Sequence, residues 1–138
     1  MTVTLSPDYK PSDSDAFMNP VMLEYFRQKL LRWRASLLDE SSETLQNLQD
    51  AGAPEADVAD RASAEADRSL ELRTRDRMRK LIAKIDAALE RVENGSYGNC
   101  EETGEPIGLQ RLEARPIATL SVEAQERHER MEKTHRDD

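Results

Sequence analysis

Two carboxylates three residues apart, Asp57 and Asp60, lie in the acidic stretch 54–62, just after the chain breakers at 52–54. At a helix start this spacing places both on one face, where they can meet a cation, a metal-bearing site or a basic channel. Acidic residues also complement the dipole of a first helical turn, and on spacing alone that bland account is the better one. Arg61 offsets part of the charge. Ala62 is small enough to let a partner approach closely.

A second constellation surrounds the only cysteine, Cys100. Positions 100/103 and 121/124 have the layout of a four-cysteine zinc module, but they hold Cys100, Thr103, Ser121 and Ala124. A structural zinc needs four tetrahedral N, S or O ligands, which an alanine and an ordinary threonine do not supply. His128 and His135 lie on a polar stretch with no second matched pair. No zinc cofactor is therefore expected, and packing with hydrogen bonds must hold the module. Cys100 reads as a small, half-buried residue, and with one cysteine an intramolecular disulfide is impossible.

The third group is basic: Arg73, Arg75, Arg77, Arg79, Lys80 and Lys84, then Arg111 and Arg115. Its simplest role is a solvated helix face with i,i+4 pairs such as Glu71 with Arg75 and Asp76 with Lys80. Lys84 and Arg115 together would instead suit phosphates. The chain has no glycine-rich phosphate loop, nucleophile elbow or zinc-protease motif, so no catalytic residue is assigned.

These groups need elements to hold them. Asn19-Pro20 is a helix start, with Asn as cap and Pro at the first helical position. Leu23, Phe26, Leu30, Trp33 and Leu37 then recur at three and four residues, a heptad seam. A second arm begins near 55–58 and runs to Asn94-Gly95, with its own seam of Met78, Ile82, Ile85, Leu89 and Val92. The spacing predicts an antiparallel coiled-coil hairpin over 19–94, strongest at its base, with its tip at 52–62. Glycines and prolines then mark a compact module over 95–120. It is expected to hold a strand at 97–100, a short helix at 107–113 and an extended piece at 116–120. A charged helix and tail fill 121–138, capped by Ser121 or Thr119. Residues 1–18 read as a flexible leader.

Composition agrees with a mainly α, elongated chain. Charged residues make up 35% of its 138 residues and aromatics only 4%, too little apolar material for a large globular core. A net charge of −8 argues against direct DNA or RNA binding, since phosphate backbones favour a basic surface. No apolar run is long enough to span a membrane and no signal peptide is visible, so a cytoplasmic protein is expected.

Four segments in this order carry a family resemblance: Met18-Asn19 with Leu23, Phe26 and Trp33; Asp57-x-x-Asp60-Arg61-Ala62; Ser69-Leu-Glu-Leu-Arg-x-Arg-Asp-Arg77; and Arg111-Leu-Glu-Ala-Arg-Pro116. Over roughly residues 17–128 the chain resembles the DksA/TraR family of bacterial transcription factors. The resemblance implies a non-enzymatic, monomeric regulator that binds RNA polymerase and inserts its coiled coil into the secondary channel. There the tip residues Asp57, Asp60 and Ala62 would act near the catalytic centre. In the stringent response such factors lower ribosomal RNA promoters and raise some biosynthetic ones together with guanosine tetraphosphate. Family contacts to that alarmone map onto Lys84 and Arg115, while a further basic contact maps onto Gln125 and departs from the pattern. The substituted ligand positions imply a cysteine-poor, zinc-independent member. Two alternatives remain at this level: a secondary-channel elongation or transcript-cleavage modulator, with Asp57 and Asp60 holding a magnesium ion, and a plain coiled-coil adaptor.

Overall fold

The structure is a computed structural model that describes residues 3–50 and 58–136. Among these residues four helices follow one another: α1, Pro20–Asp50; α2, Val58–Asn94; α3, Leu109–Ala114; and α4, Val122–Arg136. The chain divides into two compact units, Met1–Leu30 with Ala87–Asp138, and Leu31–Asp86. The fold is mainly α, as the heptad spacing requires.

In the first unit, Asn19 starts α1 as predicted: its Oδ1 accepts the Met22 amide at 2.9 Å, which satisfies one of the free first-turn donors. The buried stripe that follows is Met22, Phe26 and Leu30, all fully buried. Leu23 is only half-buried, so the seam begins one residue earlier than its heptad spacing suggested. α2 ends at Asn94 because Gly95 takes a left-handed conformation (φ 85°), and the amides of Ser96 and Tyr97 fold back on the Arg91 carbonyl at 3.0 and 3.1 Å. Tyr97 then enters the core fully buried, its ring 5.6 Å from that of Phe26 and its hydroxyl donating to the Pro116 carbonyl at 2.8 Å. Leu112 of α3 and Ala124 of α4 complete the fully buried set of this unit, together with Ala88.

The segment preceding α1, expected to be flexible, has three anchoring contacts. The Tyr9 ring meets Tyr25 edge-on at 5.8 Å. Phe17 and Met18 pack over Gly98, whose φ of 90° disfavours any side chain; a methyl there would lie 3.0 Å from Met18 Cγ and 3.2 Å from Phe17 Cζ. The strand expected at 97–100 reduces to one antiparallel bridge, Asn99 with Pro106. A turn this tight leaves no room for a longer ladder.

In the second unit, the α1 and α2 segments run antiparallel. Leu37 and Ile85 are buried, and Arg34 Nε donates to Asp86 Oδ1 at 2.7 Å. Further along, Leu38 and Ser41 face Leu72, Arg75, Asp76, Arg79 and Ile82 across a groove of about 550 Å³. Leu38, Leu45, Leu70 and Leu72 are exposed, so the seam weakens away from the base of the hairpin.

Candidate functional site

Asp60 lies in the first turn of α2 and is exposed, as is Ala62 two residues further on. An exposed first-turn carboxylate complements the helix dipole and is also free to meet a partner. Asp57 and the turn that would carry it lie outside the described residues.

The basic stretch of α2 is solvated. Asp76 holds Arg79 at 2.6 Å and Lys80 at 3.5 Å, the second being the predicted i,i+4 pair. The Arg79 hydrogen bond and then the Lys80 charge keep the Asp76 carboxyl below its usual range. The predicted Glu71 pair with Arg75 does not form; Arg75 lines the groove, and Glu71 Oε2 is buried without a hydrogen-bond partner. Lys84 is exposed in the second unit and Arg115 is exposed in the first.

Two of the other ligand-spaced positions, Thr103 and Ser121, meet Cys100, and Ala124 bonds to Ser121. A tight turn brings them there: the Cys100 amide donates to the Glu105 carbonyl at 2.8 Å, and the Gly104 amide donates to the Cys100 carbonyl at 2.9 Å. The Glu101 amide ties this turn to the Thr119 carbonyl at 2.9 Å. Cys100 is only 2% exposed. Burial pushes its thiol up, but hydrogen bonds from the Thr103 hydroxyl and from the amides of Ser121, Thr103 and Glu102 outweigh burial and bring it down to about 6. Ser121 caps α4 as predicted, its Oγ accepting the Ala124 amide at 3.2 Å, and Ala124 is fully buried. Chemically the arrangement is a buried thiol that accepts hydrogen bonds, with a hydroxyl and a capped helix start where further ligands would stand. His128 of α4 pairs with Glu102 on the same turn. Gln125, half-buried, donates from Nε2 to Glu129 at 3.2 Å.

One cluster had no sequence signal. Lys29 Nζ donates to Glu113 twice, to its carbonyl at 2.9 Å and to Oε2 at 2.6 Å, and the Tyr25 hydroxyl donates to the same Oε2 at 3.0 Å. The partners are 84 to 88 residues apart, so local periodicity cannot pair them.

Comparison with known proteins gives a consistent family. Residues 22–92 match the DnaK suppressor protein DksA N-terminal domain, and residues 95–130 match the prokaryotic dksA/traR C4-type zinc finger. The RNA polymerase-binding transcription factor DksA of Caulobacter vibrioides is 69% identical over 131 residues, covering 95% of this chain and 92% of that protein. The Escherichia coli protein of the same name is 45% identical over 115 residues, covering 83% of this chain and 76% of its own length. Transcription factor DksA2 from Pseudomonas aeruginosa, a solved structure, matches with a TM-score of 0.82 at 47% identity, covering 88% of this chain and 93% of that one.

The zinc-finger match corrects the expectation that no zinc cofactor is involved: the family description points to zinc binding. The expectation rested on counting donors at four positions, whereas the match extends over the whole frame from 95 to 130. The residues present do not themselves make a four-thiolate set. Cys100 is the one thiol, beside two hydroxyls and a methyl, and among the described residues no group of three or more His, Cys, Asp or Glu is placed to hold a metal ion.

Proposed function

The chain belongs to the DksA/TraR family of bacterial transcription factors, and from that membership we propose that it binds RNA polymerase and regulates transcription without catalysing a reaction of its own. The supporting observation is the likeness to proteins named for binding RNA polymerase, which runs through both the helical arms and the module. In this reading the α1–α2 hairpin enters the secondary channel and presents Asp57, Asp60 and Ala62 near the catalytic centre. The exposed Asp60 in a first helical turn suits that role, because it forms no ion pair with a described residue. Regulation lowers ribosomal RNA promoters, raises some biosynthetic ones and is coupled to guanosine tetraphosphate through Lys84 and Arg115. Both are exposed cations suited to phosphate oxygens. Gln125 supplies no charge at its position, which weakens that coupling relative to a chain with a base there.

The factor acts as a monomer in the cytoplasm, where its polymerase is, and makes no direct contact with DNA. Its charge of −8 supports the last point. Among the described residues no helix is long and apolar enough to cross a membrane. The test is transcription in vitro from a ribosomal RNA promoter, with and without the alarmone. Asp60→Asn is expected to abolish regulation while polymerase affinity is retained. Loss of binding in that variant would make the tip an anchor, and stimulated cleavage of a backtracked transcript would replace the reading with a cleavage factor.

A further inference from the structure

We infer that Lys29 is a positioning residue for Arg115: by holding Glu113 in an ion pair, it keeps that carboxylate from neutralising the guanidinium and so preserves an anion site. This deepens the alarmone reading of Arg115 and rests on it.

The geometry begins with α3, which has only six residues and ends at Ala114. A helix this short leaves its last carbonyls without internal partners and holds little structure alone. The Lys29 ammonium reaches across from α1, caps the Glu113 carbonyl and pairs with the Glu113 carboxylate, and Tyr25 donates to the same carboxylate oxygen. The Lys29 and Glu113 side chains are 30% and 36% exposed, so the pair is partly shielded from solvent and salt.

Arg115 follows two residues later and has left the helix (φ −141°, ψ 85°). Its backbone is held on both sides: its amide donates to the Arg111 carbonyl at 2.7 Å, and its carbonyl accepts the Ala118 amide at 3.0 Å. Arg111 Nε also donates to the Leu120 carbonyl at 2.9 Å, closing the loop that Arg115 opens. With the backbone held, what the long Arg115 side chain meets depends on the charges beside it. Glu113 is the nearest acid in sequence, and it is occupied by Lys29. Arg115 remains exposed, with no ion pair to a described residue. A guanidinium already paired with a carboxylate would have to break that bond before taking a phosphate.

The test uses the full chain bound to RNA polymerase and measures the affinity of labelled guanosine tetraphosphate for that complex. Lys29→Met should weaken it about fivefold, because Glu113 is released to compete for Arg115. Adding Glu113→Gln to Lys29→Met should recover most of the loss, which a purely structural role for the ion pair does not predict. Polymerase affinity without the alarmone should be unchanged in both. The inference is overturned if Lys29→Met binds the alarmone normally, if the second substitution gives no recovery, or if polymerase binding falls in parallel. Arg115→Ala separates the two levels. If it leaves alarmone affinity unchanged, the reading of Arg115 fails and the inference fails with it; if it reduces affinity while Lys29→Met does not, only the inference fails.

Discussion

The two units of this chain solve the problem of staying folded in different ways. The unit built from residues 1–30 and 87–138 holds Met22, Phe26, Leu30, Tyr97, Leu112 and Ala124 fully buried. The unit from 31 to 86 contributes Leu37 and Ile85 to the buried set of the described residues, while Leu31, Leu38, Leu45, Leu70 and Leu72 stay exposed. In one, interlocking side chains specify the structure. In the other, two helices associate along a sparse seam and present charge and leucine methyls to their surroundings. Stability is therefore expected to be uneven, with the second unit opening first. This suits a division in which one region keeps a shape and the other offers surface to a partner.

The largest effect expected from this difference is a contrast between two truncations. Phe26→Ala should cost about 3–5 kcal/mol, because it leaves a cavity beside Tyr97 in a closely packed site. Leu72→Ala, at a position half-exposed to water, should stay within about 0.5 kcal/mol. Urea unfolding followed by helical signal measures both. Equal costs would mean that the helix pair is packed as tightly as the module and would break the comparison.

A pH titration sharpens it. Burial pushes the Tyr97 phenol well above its usual range; the nearby Arg91 charge opposes this and Glu113 adds to it. The folded state thus favours the neutral phenol, whereas the unfolded chain ionises near a pH of about 10. The sign follows: this contribution is complete below that pH and is lost as pH rises from there toward the folded value. Tyr97→Phe removes the hydroxyl that donates to Pro116 and should cost about 1 kcal/mol at neutral pH. Above pH 10 the gap between the two proteins should narrow. A gap that widens or stays constant would place the Tyr97 hydroxyl in solvent.

How much of this was legible follows from the range of each interaction. Asn19-Pro20, Gly95 and Ser121 act on their own neighbours, so these helix ends could be read directly: α1 begins at Pro20, α2 ends at Asn94 and α4 begins at Val122. The seam was readable in period but not in phase. Met22 rather than Leu23 is buried because Phe26, Tyr97 and the chain around Gly98 decide which side of α1 is covered. The meeting of positions 100, 103 and 121 was visible as a spacing, but the hydrogen-bonded thiol was not, because it depends on amides presented by a folded turn. Lys29 with Glu113 lay beyond any local rule. The carboxylate pair at 57 and 60 was found by spacing and weighed by family likeness; the described structure adds only the exposure of Asp60.

The smallest effect tests what holds the second unit. Arg34 and Asp86 form an ion pair between its helices, with side chains 35% and 51% exposed. Water screens such a pair and ordering two long side chains offsets much of its attraction, so it selects register more than it stabilises. Asp86→Asn should lower the unfolding midpoint slightly at low salt and leave it unchanged at about 0.5 M salt, where the screening length is only a few ångströms. A large loss at low salt that high salt removes would mean that charge, not Leu37 and Ile85, joins these helices. The contrast between the units would then be one of packing against electrostatics, with neither unit weakly held.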